Sequence, residues 1–335
     1  MPLSRAAHPE VHASSARFTP TAVESRSSGG ATLAQRTPKW LTPFFRFADA
    51  CPRAARLLRP VACRITPVVA PAVREAIRLN AVRIFGRQLA PAEQRRFAHS
   101  VVGSFYDFVL DMGRASRMSV AELAELVEAV QGLEGYRASR ASRRGAVLVT
   151  AHLGTFEAGL AALARVEKRV RVVFKRDSVA AFEAIRSRLH GSLGVIETPI
   201  DDGIGSWLAL REALLRDEVV VMQADRAVPG QKSEVVPFLH GHLRIPTGPM
   251  RLAQLTGSPI IPVFALRTPA GRQRLVLGPA IEPDSGMASE FDRRPLPSAA
   301  LRAVADSIAA VVAENPHQWL ALEPVFHEDR ADASR

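Results

Sequence analysis

A histidine and a glutamate near the middle of the chain have the types and spacing for acid–base chemistry. His152 and Glu157 are five positions apart, with Gly154 and Thr155 between them. When a carboxylate holds one nitrogen of an imidazole, the tautomer is fixed and the other nitrogen can take a proton from a hydroxyl group. The carboxylate also stabilises the imidazolium that forms. The two residues are therefore a candidate general base and its partner.

The spacing sets a condition on the local fold. On one continuous helix, five residues at about 100° each place the two side chains roughly 140° apart. The side chains meet only if His152 lies in a loop and Glu157 lies in the first turn of the next helix. Gly154 permits a tight turn there, and Thr155 can cap the helix. The same spacing also fits a helix-start histidine beside an unrelated surface glutamate.

Strands and helices alternate through the second half of the chain. Strands are predicted at 146–150, 170–174, 194–197, 219–222, 259–264 and 274–277. Helices are predicted at 72–87, 91–113, 155–165, 179–190, 206–216, 248–255 and 298–314, with a further one that opens at Ser119 and ends near Gly132 and Gly135. This alternation predicts an α/β fold with a mostly parallel central sheet flanked by helices. Ligands of such sheets gather beyond the carboxyl ends of the strands, where His152 is expected.

The positive charge is concentrated at the start of the chain. The net charge is +11, and the first hundred residues hold 16 Lys and Arg against 5 Asp and Glu, whereas the remainder holds 28 of each. Residues 1–37 have no hydrophobic period and are predicted to be a disordered tail, although their acid-poor composition also fits an organelle transit peptide. Residues 38–90 are predicted to be an N-terminal amphipathic helical segment that associates with a membrane interface. An ordinary helical cap on the core fits that segment equally well. Residues 91–325 form the predicted α/β domain.

Several classes of protein are disfavoured. There is no run of eighteen apolar residues and no signal-peptide pattern, so no transmembrane helix is predicted. Cys51 and Cys63 are too few for a disulfide framework. His240 and His242 lack a third ligand and are interpreted as turn residues, so neither a metal nor a cofactor is expected. Nucleic acid is not an expected partner, because the excess charge lies away from the candidate chemistry.

Four blocks of sequence, in order along the chain, carry a family resemblance. They are 150–157 (TAHLGTFE), 217–225 (DEVVVMQAD) followed by 235–241 (VVPFLHG), 246–253 (PTGPMRLA) followed by 256–263 (TGSPIIPV), and 315–319 (NPHQW). Together they resemble the lysophospholipid and glycerophosphate acyltransferase superfamily over about residues 75–320. The chain looks most similar to the lauroyl/myristoyl acyltransferases of lipid A biosynthesis.

The resemblance implies an O-acyltransferase in which His152 is the general base and Glu157 orients it. The implied donor is an acyl thioester on acyl carrier protein, with coenzyme A as the less favoured carrier. The acceptor would be a hydroxyl of a lipid or glycolipid, as in lipid A secondary acylation. Transfer would be direct, and the protein would be peripheral or monotopic on the cytoplasmic face of the bacterial inner membrane.

Substrate-binding residues are expected at the same edge of the sheet. A guanidinium can grip a phosphate through two parallel hydrogen bonds, and backbone N–H groups at a helix start can hold an anion. Asp225 ends a strand and matches the acidic position of the family. The candidates are Lys175, Arg176, Arg188, Asp225, Thr247 and Gly248. A solvated basic helix face is also possible for Arg186 and Arg188, as is a loop-capping role for Asp225, and Trp319 is interpreted as a core residue.

Two departures from the family pattern leave the acceptor open. Leu320-Ala-Leu-Glu-Pro follows Trp319 in place of an aromatic-rich end with His and Arg, and Arg226 stands where an amide side chain is common. A lysophospholipid or an ornithine-type lipid is therefore an alternative acceptor. The sequence is also compatible with a hydrolase, in which water replaces the lipid hydroxyl, and with a non-catalytic membrane-binding protein.

Overall fold

A computed structural model describes residues 41–176, 180–228, 230–283 and 298–328; the predicted tail 1–37 lies outside them. The strands are β1 Val127–Gln131, β2 Ala146–Thr150, β3 Val170–Phe174, β4 Ile196–Pro199, β5 Val219–Gln223, β6 Ser233–Phe238, β7 Gly241–Pro246, β8 Ile260–Arg267 and β9 Gln273–Leu277. Seven of them form the central sheet in the order β1-β9-β8-β2-β5-β3-β4. Strands β8, β2, β5, β3 and β4 pair in parallel, so the mostly parallel sheet is confirmed.

The helices cover both faces of this sheet. They are α1 Leu41–Ala50, α2 Pro52–Val69, α3 Pro71–Phe85, α4 Pro91–Ala115, α5 Val120–Glu125, α6 Leu133–Ala141, α7 Glu157–Val166, α8 Ala180–Leu193, α9 Ile204–Leu215, α10 Gly248–Thr256 and α11 Ala299–Glu314. Every residue of β2 is buried, and its side chains alternate between two hydrophobic cores. Val147 and Val149 pack with α9, α10 and α11, whereas Ala146 and Leu148 pack with α4, α7 and α8. A strand buried on both faces needs apolar residues at every position.

The side of the sheet formed by β8, β9 and β1 differs from the sequence prediction. β9 runs antiparallel to β8, and β1 pairs with β9 where a continuing helix was expected. The helix that opens at Ser119 has a capping box, since the Glu122 N–H donates to Ser119 Oγ (3.2 Å) and Glu122 Oε2 accepts from the Ser119 N–H (2.8 Å). It ends at Glu125, however, and Gly132 turns the chain in a left-handed conformation (φ 77°) after β1. The hairpin of β6 and β7 was not predicted either.

The first four helices are separated by prolines, since α2, α3 and α4 begin at Pro52, Pro71 and Pro91. Proline suits the first turn of a helix because no backbone donor is needed there. α2 is held against α4 by a two-pronged ion pair, in which Nε and Nη2 of Arg59 both lie 2.7 Å from the carboxylate of Asp107. Within the described ranges, no helix has the length and apolar character to cross a membrane.

Candidate active site

Two adjacent parallel strands bring His152 and Asp225 together. Strand β2 ends at Thr150 and β5 ends at Gln223, and these two residues are partners in the sheet register. The Ala224 N–H donates to the carbonyl of Thr150 (2.8 Å), which extends the pairing one step further. His152 and Asp225 each stand two positions beyond these ends. As a result, the imidazole Nδ1 lies 2.7 Å from Asp225 Oδ1.

Contrary to the sequence prediction, Glu157 is not the carboxylate that orients His152. The carboxylate bonded to the imidazole is Asp225, and the hydrogen bond expected between His152 and Glu157 is not found. Glu157 is the first residue of α7, its side chain is buried, and its Oε2 atom has no hydrogen-bond partner within the described residues. The helix begins so close to the loop that its first side chain turns into the layer beneath, near Asp111 of α4.

The Asp225 carboxylate is fully buried and bonded on both oxygens. Oδ2 accepts from the indole Nε1–H of Trp319 (2.8 Å) and from Nη2 and Nε of Arg226 (3.1 and 3.2 Å). Burial alone would raise the pKa of Asp225, but neighbouring His152 and Arg226, together with the hydrogen bonds, outweigh burial and lower it. Asp225 is therefore ionised, so the proton shared with it belongs to Nδ1 of His152. In the neutral imidazole the lone pair is then on the other nitrogen, Nε2, and the histidine side chain is 35% exposed.

The loop that carries His152 is fastened by a segment near the end of the described chain. The Leu320 N–H donates to the carbonyl of His152 (2.8 Å), and the Gly154 N–H donates to the carbonyl of Gln318 (3.3 Å). Gly154 adopts a left-handed conformation (φ 56°), and a Cβ atom there would collide with the carbonyl of Ala265. The tight turn predicted at this glycine is confirmed. Trp319 is buried as expected, yet it also bonds Asp225, a role that the sequence analysis missed.

The sequence model of the bacterial lipid A biosynthesis acyltransferases matches residues 40–328. The chain belongs to this family. The resemblance seen in the sequence is thereby confirmed, and acyl transfer in lipid A synthesis is the activity that the family supports. The match includes the helices from α1 onward as well as the sheet that holds His152 and Asp225. No curated protein matches the chain.

The buried carboxyl group of Glu157 and the partly buried one of Asp111 lie beneath the loop that carries His152 in this acyltransferase. Burial raises the pKa of Glu157 to about 8, and the nearby Asp111 contributes to the rise. Burial also raises the pKa of Asp111 to about 6, although Arg267 opposes the shift with its Nε 3.3 Å away. Thr155 Oγ1 donates a long hydrogen bond of 3.4 Å to Asp111. Glu157 is therefore a neutral acid near pH 7.

The cations predicted to bind phosphate are not hydrogen-bonded to the His152–Asp225 pair. Arg176 forms a two-pronged ion pair with Asp202 (2.7 and 3.2 Å) on the surface, and Lys175 beside it is exposed. Arg188 is exposed on α8. In the sheet order, β5 separates β3, which leads to Lys175 and Arg176, from β2.

Arg186 has a structural role within α8. Its guanidinium is buried, donates to Glu183 (2.6 Å) and Glu197 (3.2 Å), and stacks 3.7 Å above the ring of Phe174. The same Glu197 carboxylate lies 2.7 Å from Nδ1 of the buried His190. This arginine is thus already occupied by protein groups, and the interpretation as a solvated basic face is wrong for it.

Thr247 and Gly248 begin α10, where an anion site was predicted. The Thr247 N–H and Oγ1 both donate to the carbonyl of Lys232 (3.1 and 3.4 Å), so this N–H is already used. A Cβ atom at Gly248 would lie 2.5 Å from the indole ring of Trp207 on α9. The glycine therefore allows close packing of α10 against α9.

The two histidines of the β6–β7 turn are accounted for by local contacts. His242 Nδ1 lies 2.7 Å from Glu328 Oε1, and the His240 N–H donates to the carbonyl of Arg83 (3.0 Å). In the described parts of the chain, no group of three or more His, Cys, Asp or Glu side chains could hold a metal ion.

Proposed function

We propose that this acyltransferase moves a fatty acyl chain from a thioester to a hydroxyl of a lipid or glycolipid acceptor, with His152 as the general base. One observation carries the proposal. The imidazole has one nitrogen fixed by a buried, ionised carboxylate, and its other nitrogen is free at a partly exposed position. This is the arrangement that a hydroxyl nucleophile requires.

The reaction follows from this geometry. Nε2 of His152 takes the proton as the acceptor oxygen attacks the thioester carbonyl, and Asp225 stabilises the imidazolium. The tetrahedral intermediate then collapses, its C–S bond breaks, and the leaving thiolate takes the proton from Nε2. An ester and a free thiol result. The acyl group passes directly to the acceptor, and the enzyme returns to its starting protonation state.

The donor, acceptor and location remain proposals that rest on family membership. We propose acyl carrier protein rather than coenzyme A as the carrier, and the cytoplasmic face of the inner membrane as the location. Lys175 and Arg188 are exposed and stay candidates for a phosphate of the donor or acceptor. Incubating the purified protein with acyl carrier protein thioesters and a bacterial lipid extract, followed by mass analysis, tests this. Release of free fatty acid alone would indicate a hydrolase instead.

For Glu157 we propose a positioning role. The residue starts the helix that follows the His152 loop, and its neutral carboxyl fills the layer under Thr155 together with Asp111. A neutral glutamine has nearly the same size and shape. Glu157→Gln should therefore keep acyl transfer within about tenfold of the native rate at pH 7, whereas loss of the general base costs roughly 10²–10⁴-fold. A Glu157→Gln loss as large as that of an Asp225 variant would restore the direct role first assigned to Glu157.

The stability of Glu157→Gln should also depend less on pH. The folded protein holds the proton of Glu157 up to about pH 8, whereas an unfolded glutamate releases it near 4.5. The native free energy of unfolding should therefore fall as the pH rises from about 5 to 8, by about 1.4 kcal/mol for each unit of pKa difference. Glu157→Gln removes this loss, so its thermal unfolding midpoint should fall less over the same range. Glu314→Gln, at an exposed position of α11, should keep the native slope.

Membrane association is proposed from the surface of α2. One face of this helix packs on the protein through Ala55 and Cys63, and the rest exposes large aliphatic side chains. The exposed fractions are Leu57 81%, Leu58 47%, Val61 50%, Ile65 50%, Val68 71% and Val69 71%. The exposed Arg53 and Arg56 lie on the same helix. Aliphatic side chains flanked by arginines suit the interface of an anionic bilayer.

The double variant Leu57→Gln/Val68→Gln should bind vesicles of anionic phospholipid at least about tenfold more weakly. Full burial of one such side chain is worth roughly 1.5–3 kcal/mol, and partial insertion gives a fraction of that for each. Co-sedimentation with vesicles measures the change, and added salt should weaken the binding that remains. Val166→Gln is the matched control, since Val166 is 71% exposed on α7, away from α2. Equal binding of all three proteins would contradict the proposed interface.

A further inference from the structure

A cleft of about 830 Å³ opens next to the active-site loop, between α2, α4 and the β8–β9 end of the sheet. Gly154 and Thr155, which follow His152, form part of its wall. Most of its other walls are polar or charged. Four arginines line it, namely Arg59, Arg64, Arg267 and Arg274, together with Asp107 and Glu128.

The acidic residues neutralise only some of these arginines. Asp107 is engaged by Arg59 at 2.7 Å and lies 3.9 Å from Nε of Arg267. Glu128 lies 3.4 Å from Nε of Arg272, which is not in the cleft wall.

Two cleft arginines are left over. Among the described residues, neither Arg64 nor Arg274 has a side-chain hydrogen bond or an ion pair. Two unpaired guanidinium groups in a concave surface favour an anion, and their planar donors match phosphate oxygens.

We infer that this cleft binds the phosphate-bearing headgroup of the lipid acceptor, with Arg64 and Arg274 as its phosphate ligands. The inference rests on the proposed function, because it presupposes a lipid acceptor. The side chains of Ser104, His99 and Asn315 also line the cleft and can bond hydroxyl groups of a sugar. Gly154, two residues after His152, lies in the cleft wall, so a headgroup bound here would lie beside the loop that carries the proposed base.

The position of α2 favours the acceptor over the donor as the source of the phosphate. Arg59 and Arg64 of this helix line the cleft, while Leu57, Val61 and Val68 of the same helix are exposed. If the exposed side chains enter a bilayer, the cleft opens at the level of the lipid headgroups. The phosphopantetheine arm of the donor also carries a phosphate, so both sources need to be compared directly.

A titration of the full-length protein followed by phosphorus NMR tests the inference. The probes are glucose 1-phosphate, as a soluble sugar phosphate, and 4′-phosphopantetheine, as the donor arm. Glucose 1-phosphate should bind, and Arg64→Gln and Arg274→Gln should each weaken it about tenfold, the loss expected for one charge-assisted hydrogen bond. The controls Arg56→Gln on α2 and Arg302→Gln on α11 remove the same charge outside the cleft and should bind as the native protein does.

The possible outcomes show whether the cleft binds the donor or the acceptor. They also distinguish failure of the anion site from failure of the proposed acyl transfer. No binding by the native protein, or equal binding by the Arg64 and Arg274 variants, would overturn the inference. Arginine-dependent binding of 4′-phosphopantetheine without glucose 1-phosphate would assign the cleft to the donor and overturn the acceptor assignment. His152→Ala should bind glucose 1-phosphate normally. If the native protein binds it through both arginines but transfers no acyl chain, the proposed function fails while the anion site stands.

Discussion

Replacing His152 with alanine should lower the rate of acyl transfer by roughly 10²–10⁴-fold, the range that a positioned acid–base group contributes. In the proposed mechanism the imidazole deprotonates the acceptor hydroxyl, and its Nε2 atom is the proton acceptor. The His152 side chain is partly exposed. When the imidazole is removed, Asp225 still accepts hydrogen bonds from Arg226 and Trp319. The fold should therefore persist, and the loss should appear in kcat.

The matched control for this variant is His242→Ala. His242 also pairs with a carboxylate, Glu328, at 2.7 Å, but it lies on the β6–β7 hairpin. Its loss should leave the transfer rate within about twofold of native, because it removes a histidine–carboxylate pair at the surface without touching the proposed base. Labelled acyl carrier protein thioester and chromatography of the lipid product measure both rates. A His152→Ala enzyme with near-native turnover would contradict the proposed mechanism.

The second large effect is expected for Asp225→Asn. An amide has no charge with which to stabilise the imidazolium, and it can also favour the wrong tautomer of His152. We expect kcat to fall by roughly 10²-fold or more. The change also removes the buried counter-charge of Arg226. Breaking a buried pair in this way costs about 3–5 kcal/mol, so the thermal unfolding midpoint should fall as well.

Stability and catalysis can be separated with a second buried carboxylate. Glu218 lies immediately before β5, at the opposite end of the strand from Asp225, and it accepts hydrogen bonds from Arg171 (2.7 Å) and Arg216 (3.4 Å). Glu218→Gln should destabilise the protein by a comparable mechanism but keep the transfer rate of the folded enzyme. If Glu218→Gln and Asp225→Asn lose activity equally at equal folded fraction, Asp225 has only a structural role.

The strands that hold the site were predictable, but the pairing between them was not. The apolar runs of β2 and β5 are evident in the sequence, and His152 and Asp225 were both expected at the same edge. They lie two and three positions beyond the predicted ends of their strands, and the structure makes these distances equal because β5 extends to Gln223. His152 and Asp225 come into contact only because β2 and β5 are neighbouring strands paired in register, and that pairing depends on long-range packing. Glu157 is the acid nearer to His152 in the chain, and its spacing also matches the histidine–acid block of the family that the sequence resembles.

Strand β1 and the bond between Trp319 and Asp225 were missed for two different physical reasons. Four of the five residues of β1 are exposed, so this edge strand lacks the apolar run that marked the inner strands. Trp319 was predicted to be buried, but its bond to Asp225 joins residues 94 positions apart. Trp319 reaches Asp225 because the chain crosses the ends of β2 and β5 after α11. No local sequence pattern predicts this path of the chain.

The presence of Arg226 beside Asp225 has a consequence for electroneutrality. With a neutral imidazole, the aspartate and the arginine cancel, and the His152–Asp225–Arg226 group carries no net charge. When the imidazole accepts the proton, the group becomes a monocation at the moment the tetrahedral oxyanion forms. The two new charges are opposite in sign, and beside the fully buried Asp225 they attract each other more strongly than in bulk water. The resting site therefore needs no bound counter-ion, and the imidazolium formed during turnover balances the negative charge of the oxyanion.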